Sequence, residues 1–155
     1  RGERVALWLP NRVEAVIDAP LAEVAAFASD PSRAPEWYAN ISSVEWETPP
    51  PAQVGSRVAF VARFLGRRIA YTYEIAELVP GARTVMRTAQ GPFPMETTYT
   101  WEAVDGGTLM TLRNTGSPSG FGSLTAPVVS RAIRRATARD LAALKAIMEE
   151  AGSRD

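Results

Sequence analysis

The sequence predicts an α+β fold: a seven-stranded antiparallel sheet wrapped around a long C-terminal helix, with two short helices after the first strand. Three observations carry this. Residues 54–116 divide into five alternating runs rich in Val, Ile, Tyr, Phe, Trp and Thr, separated by four short breaks. Two more alternating runs, 12–18 and 41–48, precede them, with helical spacing in between. Near the end, Val129, Ile133, Thr137, Leu144 and Met148 recur on one stripe at helical period, to about residue 151.

In chain order, Val5-Ala6-Leu7-Trp8-Leu9 either extends the first strand or forms a separate arm. Val13, Ala15 and Ile17 alternate with polar residues and make a strand of 12–18. Pro20 suits a first helical turn, and Leu21, Val24, Ala25 and Ala28 continue at helical spacing until Asp30-Pro31. A second helical piece spans 31–38 and holds Trp37 and Tyr38. The strand 41–48 sets Val44 and Trp46 against Glu45 and Glu47, and three prolines at 49–51 stop it. Ser117-Pro118-Ser119-Gly120-Phe121-Gly122 leads into the final helix, with Pro127 in its first turns.

The four breaks also set a register. They are Phe64-Leu65-Gly66-Arg67, Pro80-Gly81 in the type II pattern, Gly91-Pro92-Phe93-Pro94, and Asp105-Gly106 of the hairpin kind. Read as two-residue turns, they place Phe64 opposite Arg67, Val79 opposite Ala82, Gly91 opposite Pro94 and Val104 opposite Gly107. Alternation then sorts two faces. One face carries Val58, Phe60, Ala62 and Phe64, then Ile69, Tyr71, Tyr73 and Ile75, then Met86, Thr88 and Gln90. It continues with Met95, Thr97, Tyr99 and Trp101, and ends on Met110, Leu112 and Asn114. The other face carries Arg63, Arg68, Glu74, Arg87, Glu96, Glu102 and Arg113, with Glu74 opposite Arg87.

Composition narrows the chemistry. The chain has 155 residues, enough for one domain spanning 1–155, and its formal net charge is zero, so no global field draws it to nucleic acid. It has no cysteine and no histidine. That excludes thiolate nucleophiles, imidazole bases, serine–histidine triads and most transition-metal sites. No loop clusters acids for a hard cation, and Lys145 is the only lysine. No metal and no cofactor is expected. With no run long enough to span a membrane and no signal-peptide pattern at its start, the chain is expected to be a soluble cytoplasmic domain.

A concave aromatic sheet face and a long helix with a matching stripe must cover each other. With Ala19-Pro20 and Val24, Asp30-Pro31 followed by Trp37, Gly55, Gly66, Pro80-Gly81, Gly106-Gly107-Thr108, and Leu141 with Leu144, the chain resembles the helix-grip superfamily of START-like (SRPBCC) proteins. It is most similar to the polyketide cyclase/dehydrase and lipid-transport branch, over nearly all of 12–151. The resemblance implies a deep cavity between sheet and helix that holds an apolar small molecule. Ring-hydroxylating oxygenases of that superfamily need histidine ligands for iron, which this chain lacks.

Tyr71, Tyr73, Tyr99 and Trp101 are each as consistent with core packing as with pocket lining. Together with Thr88, Gln90, Thr97 and Asn114 they bring too many polar tips for a dry core, so a cavity of a few hundred cubic ångströms is expected. Phe60, Phe64, Met86, Met95, Met110, Leu112, Ile133 and Thr137 complete the expected lining. Trp37 and Tyr38 either gate the mouth or anchor the helical piece in the core, the anchor being the better reading for Trp37, and Phe93 is a further candidate at the mouth. Phe93 is the better gate, because a hairpin tip is hard to bury. Arg63, Arg87, Arg113 and Glu96 fall outside. Asp140 lies beside the helix stripe with no charged partner at helical spacing; it is exposed at the edge, reaches a strand arginine, or is a pocket acid of raised pKa. The expected function is binding of a hydrophobic small molecule. If catalytic, the chain is expected to be a cofactor-independent polyketide cyclase, aromatase or dehydratase, with Tyr73, Tyr99 and Asn114 as donors to an enolate and Asp140 as base. The alternative is a non-catalytic carrier of a lipid, quinone or pigment, and a third reading is an interaction module with a structural cavity. Arg131, Arg135 and Arg139 form a like-charged row. It is either a solvated face offset by Glu149, Glu150 or strand acids, or a surface for an acyl carrier protein or anionic lipid.

Overall fold

The computed structural model describes residues 11–117 and 126–153. The arm at residues 5–9 and most of the lead-in at 117–122 lie outside the described residues. Strand β1 (Asn11–Ile17) is followed by helix α1 (Leu21–Ala28), a 3-10 turn (Pro31–Arg33) and the short helix α2 (Ala34–Trp37). Then come β2 (Ile41–Trp46), β3 (Arg57–Phe64), β4 (Arg67–Val79), β5 (Arg83–Gln90), β6 (Met95–Val104) and β7 (Gly107–Gly116), and last helix α3 (Ala126–Ser153). The seven strands form one antiparallel sheet in the order β1-β7-β6-β5-β4-β3-β2.

Local chemistry explains the breaks. The piece expected as one helix over 31–38 is split. Pro35 has no N–H to return to Pro31, and it is the Ala34 N–H that reaches the Pro31 carbonyl. Asp30 caps the 3-10 turn by accepting from the Ser32 N–H at 3.0 Å. The β3–β4 turn puts Leu65 at φ 52° and Gly66 at φ 78°, the doubly left-handed form that matches strand twist.

Two of the four turns differ from the two-residue reading. Val79 pairs with Arg83, so Pro80-Gly81-Ala82 is a three-residue connection. Such a loop would reverse the faces beyond it, but Ala76 bulges out of β4 and restores them. Ile75 pairs with Met86 and Glu74 with Arg87, in the expected register. The bulge also turns Leu78 inward in place of Glu77, which bonds Arg83 at 3.0 Å on the outside. The β5–β6 ladder is offset by two residues, pairing Arg87 with Glu96, and an even offset leaves the faces unchanged.

Helix α3 is about 42 Å long at 1.5 Å per residue, with its 28 residues laid along β1. Its C-terminal half is fastened there. The Lys145 ammonium donates to the Val16 carbonyl at 2.8 Å and pairs with Glu149 at 2.6 Å. Glu149 also accepts from the Asp18 N–H at 2.9 Å. Leu141, Leu144 and Met148 pack here with Met110, Leu112, Ile17 and Val24 in one buried cluster. Each such side chain contributes about 1.5–3 kcal/mol by leaving water.

Gly107 begins β7 at φ 130°, where a Cβ would sit 2.1 Å from the Ile17 carbonyl oxygen. At Gly66, with φ 78°, a Cβ would meet nothing within 4 Å. Gly107→Ala is expected to cost more than about 2 kcal/mol, because it forces β1 away from β7. Gly66→Ala is expected to cost about 1 kcal/mol from backbone strain alone. Urea denaturation of the two variants beside the wild type checks both, and equal losses would contradict this account of the β1–β7 junction.

Candidate functional site

The N-terminal half of α3 crosses the sheet without filling the space beneath it. The cavity left there has a volume of about 190 Å³, somewhat smaller than the few hundred expected. Its floor comes from Phe60, Ala62 and Phe64 on β3, Ile69, Tyr71 and Tyr73 on β4, and Met86 on β5. Met95, Thr97 and Tyr99 on β6 and Asn114 on β7 continue it. The roof is Ile133, Ala136, Thr137 and Asp140 of α3. A third wall, from the stretch between α1 and β2, supplies Ser29, Pro31, Ala34, Tyr38, Asn40 and Ile41.

Some expected residues lie elsewhere. Met110 and Leu112 are fully buried in the cluster under the fastened half of α3, and Trp101 joins them. Trp37 follows its core-anchor reading and not the gate: it is 2% exposed and packs at 5.7 Å on the Tyr99 ring, behind the wall. Thr88 turns away to close the β5–β6 loop, accepting from the Met95 N–H at 2.9 Å and donating to the Met95 carbonyl at 3.1 Å. Gln90 is exposed because a second bulge, at Ala89, pairs it with Thr72 and puts it on the other face. Phe93, the gate candidate, is buried in spite of its place at a loop tip. It is 8% exposed and faces into the cavity, since the loop folds inward.

A hydrogen-bonded chain crosses from floor to roof. The Thr97 hydroxyl donates to Asn114 Oδ1 at 2.8 Å, and Asn114 Nδ2 donates to Thr137 Oγ1 at 3.0 Å. Tyr73 Oη lies 2.8 Å from the same Thr97 oxygen. A hydroxyl has one proton, so Tyr73 is the donor in that pair and its oxygen is left as an acceptor. Tyr73 and Asn114 are therefore largely committed to the protein, contrary to their expected service as donors. Tyr38 and Tyr99 bond each other at 2.5 Å, and that pair keeps one proton to offer.

Asp140 forms part of the wall, not the exposed edge of the stripe. It is 4% exposed, and its Oδ1 accepts from the Ala39 N–H at 3.1 Å. Burial pushes its pKa up to about 6, against the lowering effects of the Ala39 bond and the Arg139 charge. Asp140 is the sole charged residue among the described lining. Arg63, Arg87 and Arg113 are exposed on the far face. Arg87 pairs with Glu96 at 2.6 Å, while Glu74, opposite Arg87 in the ladder, pairs with Arg57 at 3.0 Å. Among the described residues no group of His, Cys, Asp or Glu is placed to hold a metal, and no helix is long and apolar enough to cross a membrane.

A curled antiparallel sheet gripping a C-terminal helix over an aromatic cavity defines a START-like helix-grip protein. Within that class the chain belongs to the polyketide cyclase/dehydrase and lipid transport family, whose model matches residues 12–149. No curated protein matches it in sequence. Among solved structures it is similar to a protein of Thermus thermophilus, with a TM-score of 0.80 at 22% identity over 92% of this chain and 98% of that one. It is similar to the di-domain ARO/CYC protein StfQ from the steffimycin biosynthetic pathway, with a TM-score of 0.78 at 15% identity over 98% of this chain and 55% of that one. A START superfamily protein of Mycobacterium smegmatis gives 0.76 at 14% identity, over 92% of this chain and 97% of that one. At these identities the likeness is one of fold.

All four tyrosines of the chain line this cavity. Burial raises every one of them above the usual 10, Tyr73 to about 12 and Tyr38, Tyr71 and Tyr99 also upward. A raised folded pKa means that the neutral phenols stabilise the fold fully below the unfolded value near 10, and that this is lost as pH rises through the folded values. Phenolate absorbance is therefore expected to stay flat to about pH 11 and then rise together with unfolding. A tyrosine titrating near 10 in the folded protein would contradict the buried cluster.

Proposed function

We propose that the chain binds a hydrophobic small molecule in this cavity. The observation that carries the proposal is the wall itself: aromatic and aliphatic groups on all sides, with a few fixed polar atoms, as in ligand sites generally. A purely structural cavity would have no use for four buried phenols and a carboxylate. Mass spectrometry of organic extracts of the purified protein tests the reading, and Ala136→Phe, which fills the roof, is expected to weaken binding of any extracted compound at least tenfold. Undiminished binding in that variant would move the ligand elsewhere.

Asp140 favours catalysis over simple carriage. A buried carboxyl near 6 is poised to take and return a proton at neutral pH, as general acid–base groups do. In a cofactor-independent cyclase, aromatase or dehydratase, Asp140 would remove a proton between two carbonyls of a folded polyketide-like substrate. The spare proton of the Tyr38–Tyr99 pair would meet the enolate oxygen. The base must be ionised, so turnover is expected to fall as pH drops through about 6, and Asp140→Asn is expected to lower kcat by roughly 100-fold or more while changing KM less. An extracted compound returned unchanged, with no turnover by the wild type, would support a carrier of a lipid, quinone or pigment.

The arginine row bears on delivery. Arg131, Arg135 and Arg139 are exposed on α3, with Arg134 beside them, and none forms an ion pair among the described residues. Glu149, expected to offset them, is taken by Lys145. The row suits an acidic partner, either an acyl carrier protein or an anionic lipid surface. Changing all three to Gln is expected to reduce binding to one of these at low salt by tenfold or more, and unchanged binding to both would refute the row's role.

A further inference from the structure

The cavity is polarised in one direction. Its charged wall residue is an acid, and the described arginines and the lysine lie outside it. The lining hydroxyls of Tyr38, Tyr71, Tyr99 and Thr137 can turn either lone pairs or protons inward. Tyr73 gives its proton to Thr97 and shows lone pairs, and the Asn114 carbonyl is already engaged by Thr97. Phe60 and Tyr71 stack at 5.5 Å, with Tyr73 edge-on to Tyr71 at 5.1 Å. Their π faces carry partial negative charge, which attracts cations. Among the described residues Asp140 has a single hydrogen bond, from Ala39, although a carboxylate accepts several.

We infer that the cavity selects an apolar or aromatic ligand bearing a protonated amine, with the Asp140 carboxylate as its counter-ion and the tyrosine rings as its aromatic cage. A ligand that places a carboxylate or phosphate inside would be repelled by Asp140 and would meet no compensating cation among the described lining. Among the described residues, Arg139 and the rotatable hydroxyl protons of the lining oppose a bound ammonium. Arg139 is one residue away but exposed, and it acts on Asp140 from outside. The spare proton of the Tyr38–Tyr99 pair can rotate away from a cation. The raised pKa of Asp140 is consistent with this: burial leaves the carboxylate short of partners, and an ammonium supplies one.

The inference rests on the cavity being a ligand site, and the test separates the two. Naphthylmethylamine, naphthylmethanol and naphthoate share one apolar skeleton and differ in charge. Each is titrated calorimetrically into the intact chain at about pH 7.5, above the titration of Asp140 and below that of the amine. The amine is expected to bind at least about tenfold more tightly than the alcohol, and the naphthoate more weakly than either, as befits a charge-assisted bond. Asp140→Asn is expected to bring the amine-to-alcohol affinity ratio to about one. The wild-type ranking stands without the variant, should the variant fail to fold. Equal binding of amine and alcohol, or tighter binding of naphthoate, overturns the inference and leaves the cavity reading intact. Failure of all three to bind overturns both.

Discussion

The Asn114–Thr137 hydrogen bond sets the spacing on which the cavity depends. Farther along, α3 is pinned to β1 by Lys145, Glu149 and a dry cluster of leucines. Left to apolar attraction alone, its other half would settle toward the sheet. Asn114 and Thr97 are polar groups that need partners, and Thr137 meets them at hydrogen-bonding distance from the helix. Aromatic rings too wide to interdigitate fill the rest of the floor. A helix fastened at one end and propped at the other leaves a void between the two.

Burial has opposite consequences on the two sides of the sheet. Outside, arginines and glutamates pair across strands at modest net benefit. Inside, one carboxylate and four phenols of the described lining are held away from water, and each becomes harder to ionise. For the phenols this is a fixed neutral lining. For Asp140 it brings a group of ordinarily low pKa into the range where its proton can move. A chain with no histidine thus obtains a group that titrates near neutrality from desolvation.

Most of the fold was legible because alternation in the strands and the helical stripe are strong local signals. The paired faces survived two wrong turn lengths, one corrected by the Ala76 bulge and the other even in offset. The site was legible where it lies on strands, as at Tyr73, Thr97 and Asn114. It was not legible where depth or looping decides. Alternation says that Met110 and Phe60 share a face, but not that one lies under the fastened helix and the other under the void. Tyr38 could be read as a candidate at the mouth, but Asn40 and Ile41 beside it could not, because only the fold of that stretch over the sheet makes it a wall. Asp140 lay beside the stripe, and its burial depends on the loop at Ala39 closing over it.

The β4–β5 hairpin has a bearing on how such a chain can change over generations. Its odd-length loop and its bulge cancel each other. A lineage that lost Ala76 would set Ile75–Met86 and Glu77–Val85 as consecutive pairs of an unbroken ladder, and one that lost Ala82 would close the same Val79–Arg83 pair with a two-residue loop. Either change keeps the lining, because neither residue has a partner across the ladder. Length changes at these two points can therefore come one at a time, whereas a deletion inside a paired stretch of β4 would carry every residue beyond it to the opposite face.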